Sequence, residues 1–193
     1  MKKIMMTMAA VLCCALSFTA CNKDNTTGGG TTPSGEDPSD ANKIAKVVVE
    51  YLFQTTDDML QYFDFNLEYL NAATGAKESQ KITSAEFTKE YSDVKLPLDM
   101  GFNLTTTLKD GKTIEDVKAV ETMAYILPSP SAWISMYNKD GKLIGEGGRR
   151  VVVSGPRSAT GARVAERFEE GNFSKSYLES ISADGNGTTG EWK

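Results

Sequence analysis

The sequence predicts an all-β domain, an antiparallel β-sandwich of about eight or nine short strands. Three observations point there. Short runs alternate apolar and polar residues with period two, the clearest setting Phe63, Phe65, Leu67 and Tyr69 against Asp64, Asn66 and Glu68. Turn-forming pairs such as Asp110-Gly111 and Asp140-Gly141 fall between such runs. About 150 residues follow the leader and linker, enough for one domain with a workable core.

The chain opens with a leader, expected to be a signal peptide over residues 1–20. Lys2 and Lys3 supply its positive region, and Ile4 to Phe18 is almost wholly apolar. That run has about 15 residues, whereas a spanning helix needs roughly 20. Thr19 and Ala20 are the small residues before Cys21. This arrangement resembles a bacterial lipobox, with Phe18 where Leu is usual. The resemblance implies cleavage before Cys21 and acylation of its thiol. Two or more acyl chains hold a protein firmly on a bilayer, at about 0.8 kcal/mol per buried methylene. Asn22-Lys23-Asp24 resembles the export signal of Bacteroidota surface lipoproteins, which implies an outer-membrane address, at the cell surface or the periplasmic face. Residues 21–42 form the acylated Cys and a linker free of Leu, Ile, Val and aromatics. Such a tether stays flexible and spans roughly 25 Å. Residues 43–193 are the single folded domain.

Composition narrows the chemistry. The formal charge is −5 over 193 residues, and losing Lys2 and Lys3 with the leader takes it to −7. An acidic domain is a poor partner for nucleic acid. The cysteines are Cys13, Cys14 and Cys21, and there is no histidine. The folded domain therefore holds no Cys–His or Ser-His-Asp catalytic set and no Cys/His zinc site. Carboxylate chemistry, Ser-Lys chemistry and oxygen-ligated calcium survive.

Along the domain, Ile44–Thr55 alternates as a strand, with Val47, Val49, Tyr51 and Phe53 on one face. Thr56 caps a single helical turn through Met59 and Leu60. Phe63–Tyr69 is the clearest strand, and Ser79–Tyr91 reads as its return. After Lys95-Leu96-Pro97, the run Met100 to Leu108 alternates again. Thr113–Val120 fits a short helix or an irregular strand. Thr122–Leu127 reads as a strand. Ala132–Tyr137 and Lys142–Gly145 flank Asn138–Gly141 as a hairpin. Gly147-Gly148 is read as a bulge, Arg149–Val153 as a strand and Ser154–Gly161 as a loop. Arg163–Phe168 and Phe173–Ile181 are read as the last two strands, and Asp184–Lys193 as a fraying end.

From Asp57 to Gly111 the pattern is a turn, a strand ending Glu68-Tyr69, a return strand, Leu96-Pro97, a Gly101-Phe102 strand and a Lys109-Asp110-Gly111 turn. It resembles small uncharacterised lipoproteins of the Bacteroidota. The resemblance covers roughly a third of the chain and implies an Ig-like β-sandwich.

The leading ligand-binding candidates are Trp133, Tyr137 and Trp192, because an aromatic plane stacks on the C–H face of a sugar. Their ordinary alternative is core packing. Arg149, Arg150, Arg157, Arg163 and Arg167 suit carboxylates or phosphates, or surface ion pairs. Glu50, Asp64 and Glu68 offer an acid pair or a solvated face. Asp57, Asp58 and Asp64 suit calcium or a capped turn. Ser92-x-x-Lys95 spells a nucleophile motif but lies outside any expected helix. Gly145–Gly148 and Gly155–Gly161 lack the Lys-Ser/Thr ending of phosphate loops.

The resulting expectation is a lipid-anchored, non-catalytic binding or assembly module of the cell envelope. Its partners are the bilayer, through acylated Cys21, and a glycan or an envelope protein; no nucleic acid, metal or cofactor is expected. The alternatives are a carboxylate-dependent polysaccharide hydrolase and a structural or adhesive subunit.

Overall fold

The computed structural model describes residues 42–151 and 155–193. The leader, Cys21 and nearly all of the linker lie outside the described residues, as do Val152 and Val153 of the strand expected over Arg149–Val153, in which Arg149 alone is strand among the described residues. In order, the elements are β1 (Lys46–Gln54), α1 (Asp57–Leu60), β2 (Phe63–Leu70), β3 (Lys77–Ile82), β4 (Glu86–Ser92) and β5 (Leu98–Leu108). Then come α2 (Ile114–Lys118), β6 (Met123–Tyr125), β7 (Ser131–Tyr137), β8 (Leu143–Arg149), β9 (Arg157–Ala159), α3 (Gly161–Glu169), β10 (Lys175–Ile181) and β11 (Gly187–Gly190). Eleven strands among the described residues slightly exceed the expected number.

Two antiparallel sheets face each other. The first has the order β4-β1-β7-β8 and the second β11-β10-β5-β2-β3; β6 and β9 form a separate two-stranded ladder. Alternation places Val47, Val49, Tyr51 and Phe53 of β1 in the core, opposite Phe63, Phe65, Leu67 and Tyr69 of β2. Phe53 meets Phe65 at 5.5 Å between ring centroids, and Tyr51 meets Tyr69 at 5.2 Å. Ala132, Ile134 and Met136 of β7 and Met100, Phe102 and Leu104 of β5 complete the layer. No helix of the described residues is long and apolar enough to cross a membrane.

A cap closes the end where β1 stops and β2, β7 and β10 start. Thr56 begins it as expected, accepting the Met59 N–H at 3.1 Å. Thr56 also donates to the Ala124 carbonyl at 2.7 Å, and Asp58 accepts the Ala124 N–H at 2.6 Å, so α1 is pinned to β6. In α2, Thr113 and Asp116 form a reciprocal capping box, which settles that ambiguous segment as a helix. Phe63, Phe168 and Phe173 fill the space beneath the cap.

Several expectations need correction. Arg163–Phe168 is helix, within α3. Gly161, Val164, Ala165 and Phe168 follow helical spacing and face inward, and Thr160 caps the start. Ser79–Tyr91 is two strands in different sheets. Ile82 and Phe87 are an odd number apart and cannot share one strand face, so the chain bends between them to turn both inward. The loop expected over Ser154–Gly161 contains β9, and Thr122–Leu127 contributes only the short β6 that pairs with it. The expected fraying end contains β11, laddered on β10 beyond a turn in which Ser182 bonds Asn186. The bulge lies earlier on the same strand than Gly147-Gly148. Register shifts between Met136 and Tyr137, leaving Ile144 as the extra residue. The Asn138–Gly141 turn is as expected, with Gly141 at φ 74°.

Gly161 is the closest approach in the cap. A Cβ there would lie 1.8 Å from the Val117 carbonyl oxygen and 2.9 Å from Val120 Cβ. Gly161→Ala is expected to force α3 away from α2 and to lose about 1–3 kcal/mol of stability. Thermal unfolding checks this, and an unchanged melting temperature would refute the tight contact.

Candidate functional site

The outward face of the first sheet carries two of the three aromatic candidates. Trp133, Ser135 and Tyr137 alternate with the buried Ala132, Ile134 and Met136, so all three point to the solvent side of β7. Both aromatic rings are half-buried. Positions 133 and 137 are separated by about 13 Å along the strand.

Cross-strand register defines the neighbours. Glu50 lies directly opposite Trp133, and Glu90 directly opposite Glu50. Val48 lies opposite Ser135 and also Ser92, and Lys46 opposite Tyr137. Directly opposed residues hold their Cβ atoms roughly 5 Å apart, and like charges in that position are destabilising. Ser92 partly compensates, donating its hydroxyl to Glu90 at 2.6 Å.

Trp133 is held in place. Its indole N–H donates to Glu146 at 3.3 Å, and the Arg150 guanidinium sits 5.5 Å from the ring centroid. Gly148 is its partner on β8, so the ring meets no opposing side chain there. Near Tyr137 the surface sinks into an open depression of about 550 Å³ lined by Lys46, Val48, Glu90, Tyr137 and Gly141. The face thus combines two aromatic planes, paired carboxylate acceptors and an ammonium. It can stack on sugar rings and accept their hydroxyl protons in charge-assisted bonds.

Trp192 is not part of this face. It follows β11 and packs with Lys77 of β3, whose ammonium is 5.2 Å from the ring and also bonds the Lys193 carbonyl. It therefore belongs to the second sheet.

The acids separate in the same way. Glu50 is on the first sheet, whereas Asp64 pairs with Lys81 at 3.1 Å and Glu68 accepts from Asn103 at 3.1 Å on the second. Glu90, which sequence reading missed, is the acid that faces Glu50. Its signal was the odd spacing of Ile82 and Phe87, which moves residues 86–92 into the first sheet. Asp57, Asp58 and Asp64 do not gather, and no group of three or more metal-binding side chains occurs among the described residues. Ser92 and Lys95 lie at and just beyond the end of a strand, without the helix that Ser-Lys chemistry needs. Gly145–Gly148 lies within β8.

A second polar cluster ties the sheets together. Tyr51 donates to the Leu70 carbonyl at 2.8 Å and accepts the Gly101 N–H at 3.3 Å. Glu78 of β3 accepts from Asn71 at 2.6 Å and from Tyr91 of β4 at 3.1 Å. Hydrogen bonds from Asn71, then the Tyr69 hydroxyl, then Tyr91 hold the Glu78 carboxyl below its usual range. Burial is the chief cause that pushes Tyr69 up to about 12 and raises Tyr51 and Tyr91 as well. Each of these groups has a partner across the sandwich or within its rim, so the cluster acts as a clasp.

Comparison with protein-family models, with curated proteins and with solved structures gives no match.

Proposed function

We propose that this chain is an acylated lipoprotein of the cell envelope, anchored at the outer membrane through Cys21, and that its sandwich is a non-catalytic glycan-binding module. The single observation behind the binding role is the placement of Trp133 and Tyr137 on one solvent-facing strand face beside Glu50 and Glu90. The apolar leader, the small residues before Cys21 and the Gly- and Thr-rich tether support the anchor.

Two experiments test the halves of the proposal separately. Replacing Cys21 with Ala should move the protein from the membrane to the soluble fraction; a variant that stays membrane-bound rejects the anchor. For the binding role, the soluble mature chain is screened on a glycan array, and affinity for the best neutral glycan is measured. Trp133→Ala and Tyr137→Ala should each weaken it about tenfold, near 1.4 kcal/mol. Wild-type affinity in both variants, or no glycan bound, rejects this role.

The directly opposed Glu50 and Glu90 favour one second reading, a polysaccharide hydrolase. Their Cβ atoms, roughly 5 Å apart, leave the two carboxyl groups free to reach the separation of about 5 Å that a retaining mechanism uses. Loss of polysaccharide turnover in both Glu50→Gln and Glu90→Gln would favour it, and no turnover by the wild type would reject it.

A further inference from the structure

Every arginine of this acidic chain lies between positions 149 and 167. The fold gathers three of them around one tyrosine on the cap. Tyr125 ends β6 directly opposite Arg157 of β9. Arg163 and Arg167 are one turn apart on α3, roughly 6 Å between their Cβ atoms. They occupy the flank of α3 away from α2, because Glu169 on the other flank pairs with Lys118 of α2 at 3.4 Å. Phe168 of α3 and Tyr125 both pack against Phe173, which seats the Arg167 turn beside Tyr125; burial raises the Tyr125 hydroxyl, and the charges of Arg167 and Arg163 oppose that rise.

The tyrosine ring is set by packing. It lies nearly parallel to Phe173, with centroids 6.1 Å apart and an interplanar angle of 26°. Leu127, two residues on, is 43% exposed. Arg167 also meets Glu170 at 3.2 Å, but both side chains are nearly half exposed, and such surface pairs contribute little. A ligand that offers an anionic group in fork geometry competes well for that guanidinium. The cap stands at the opposite end of the sandwich from Ile44–Lys46, about 30 Å away along β1. It therefore faces away from the point where the tether enters the domain.

We propose that Tyr125, Arg157, Arg163 and Arg167 form a binding site for an acidic polysaccharide. The guanidiniums hold the carboxylate or sulfate of a sugar acid, and its ring lies against Tyr125. The pairing of an aromatic plane with clustered forks favours a sugar acid over an acidic peptide, which needs only the charges. The site is separate from the Trp133–Tyr137 face and does not depend on it.

The test is calorimetric titration of the full mature chain, made soluble by Cys21→Ala. The probes are polygalacturonate for carboxylate, dextran sulfate for sulfate, neutral dextran, and polyglutamate as the peptide control. At least one acidic polysaccharide should bind, with affinity that falls as salt is added, and dextran should not compete for the site. The double variant Arg163→Gln/Arg167→Gln should bind about tenfold or more weakly while keeping its thermal unfolding temperature. Arg157→Gln should weaken binding as well. The proposal is overturned if neither acidic polysaccharide binds, or if the folded double variant binds like the wild type. Polyglutamate binding as tightly as the sugars would overturn it in favour of an acidic peptide.

Discussion

Phe63→Ala is expected to destabilise the protein by about 3–5 kcal/mol, a large share of the roughly 5–15 kcal/mol available to such a domain. Phe63 is 1% exposed and begins β2, where the sandwich meets its cap. Its ring lies 5.1 Å from Phe168 of α3, 5.2 Å from Phe173 and 6.3 Å from Phe65, measured between centroids. Removing it leaves a cavity bordered by both layers, and neither can collapse into it without breaking a strand register. The cap rests on fewer contacts than the sheets, so it should loosen first. Thermal unfolding should fall by roughly 10 °C, given about 2–4 °C per kcal/mol for a domain of this size. Hydrogen exchange should speed up in α3 before it does in β1 or β5. A loss under about 1 kcal/mol, or equal acceleration in β5 and α3, would rule out this account of the cap.

The same residues explain what the sequence could and could not reveal. β1, β2, β5 and β7 were legible because each buries one face on a single sheet partner, so period two survives along its whole length. The cap was not legible. Val164, Ala165 and Phe168 carry the helical period, but α3 has nine residues, and five of them are Arg, Glu or Gly, which leaves a weak signal. β9 pairs with β6, far away in sequence, and pairing of that kind leaves no local trace; β11 is a fully exposed Gly-Thr-Thr-Gly run with no alternation to read.

The candidate site shows the same limit. That Trp133 and Tyr137 share a face followed from their even spacing. Glu90 joined them only through the β1–β4 register, and Trp192 left them because it follows β10 and β11, both strands of the second sheet. The five arginines were visible as a cluster in sequence. That Arg150 goes to the Trp133 ring, and Arg157, Arg163 and Arg167 to the Tyr125 edge, depends on where β8 ends and α3 begins.

Raising the pH is expected to unfold the protein cooperatively, through the Tyr51–Tyr69–Tyr91 clasp. A tyrosine ionises near 10.0 in an unfolded chain, whereas Tyr69 is pushed up to about 12 and Tyr51 and Tyr91 are also raised, chiefly by burial. The folded protein thus holds protons that the unfolded chain releases. Stability is complete below pH 10 and falls as pH rises towards 12, the direction required when the folded state binds more protons. Each group loses at most about 1.4 kcal/mol per pH unit in that window, and less where solvent screens it, as at the half-buried Tyr91. Two pH units of such loss bring an ordinary domain of roughly 5–15 kcal/mol close to unfolding. Tyrosinate absorbance and far-ultraviolet circular dichroism should therefore change together in one transition. The variant Tyr91→Phe removes one of the three groups and should make the loss shallower, although at neutral pH it gives up the bond to Glu78, worth about 1 kcal/mol. If all the tyrosines ionise near pH 10 while the sheet signal persists, their burial between the two sheets is wrong.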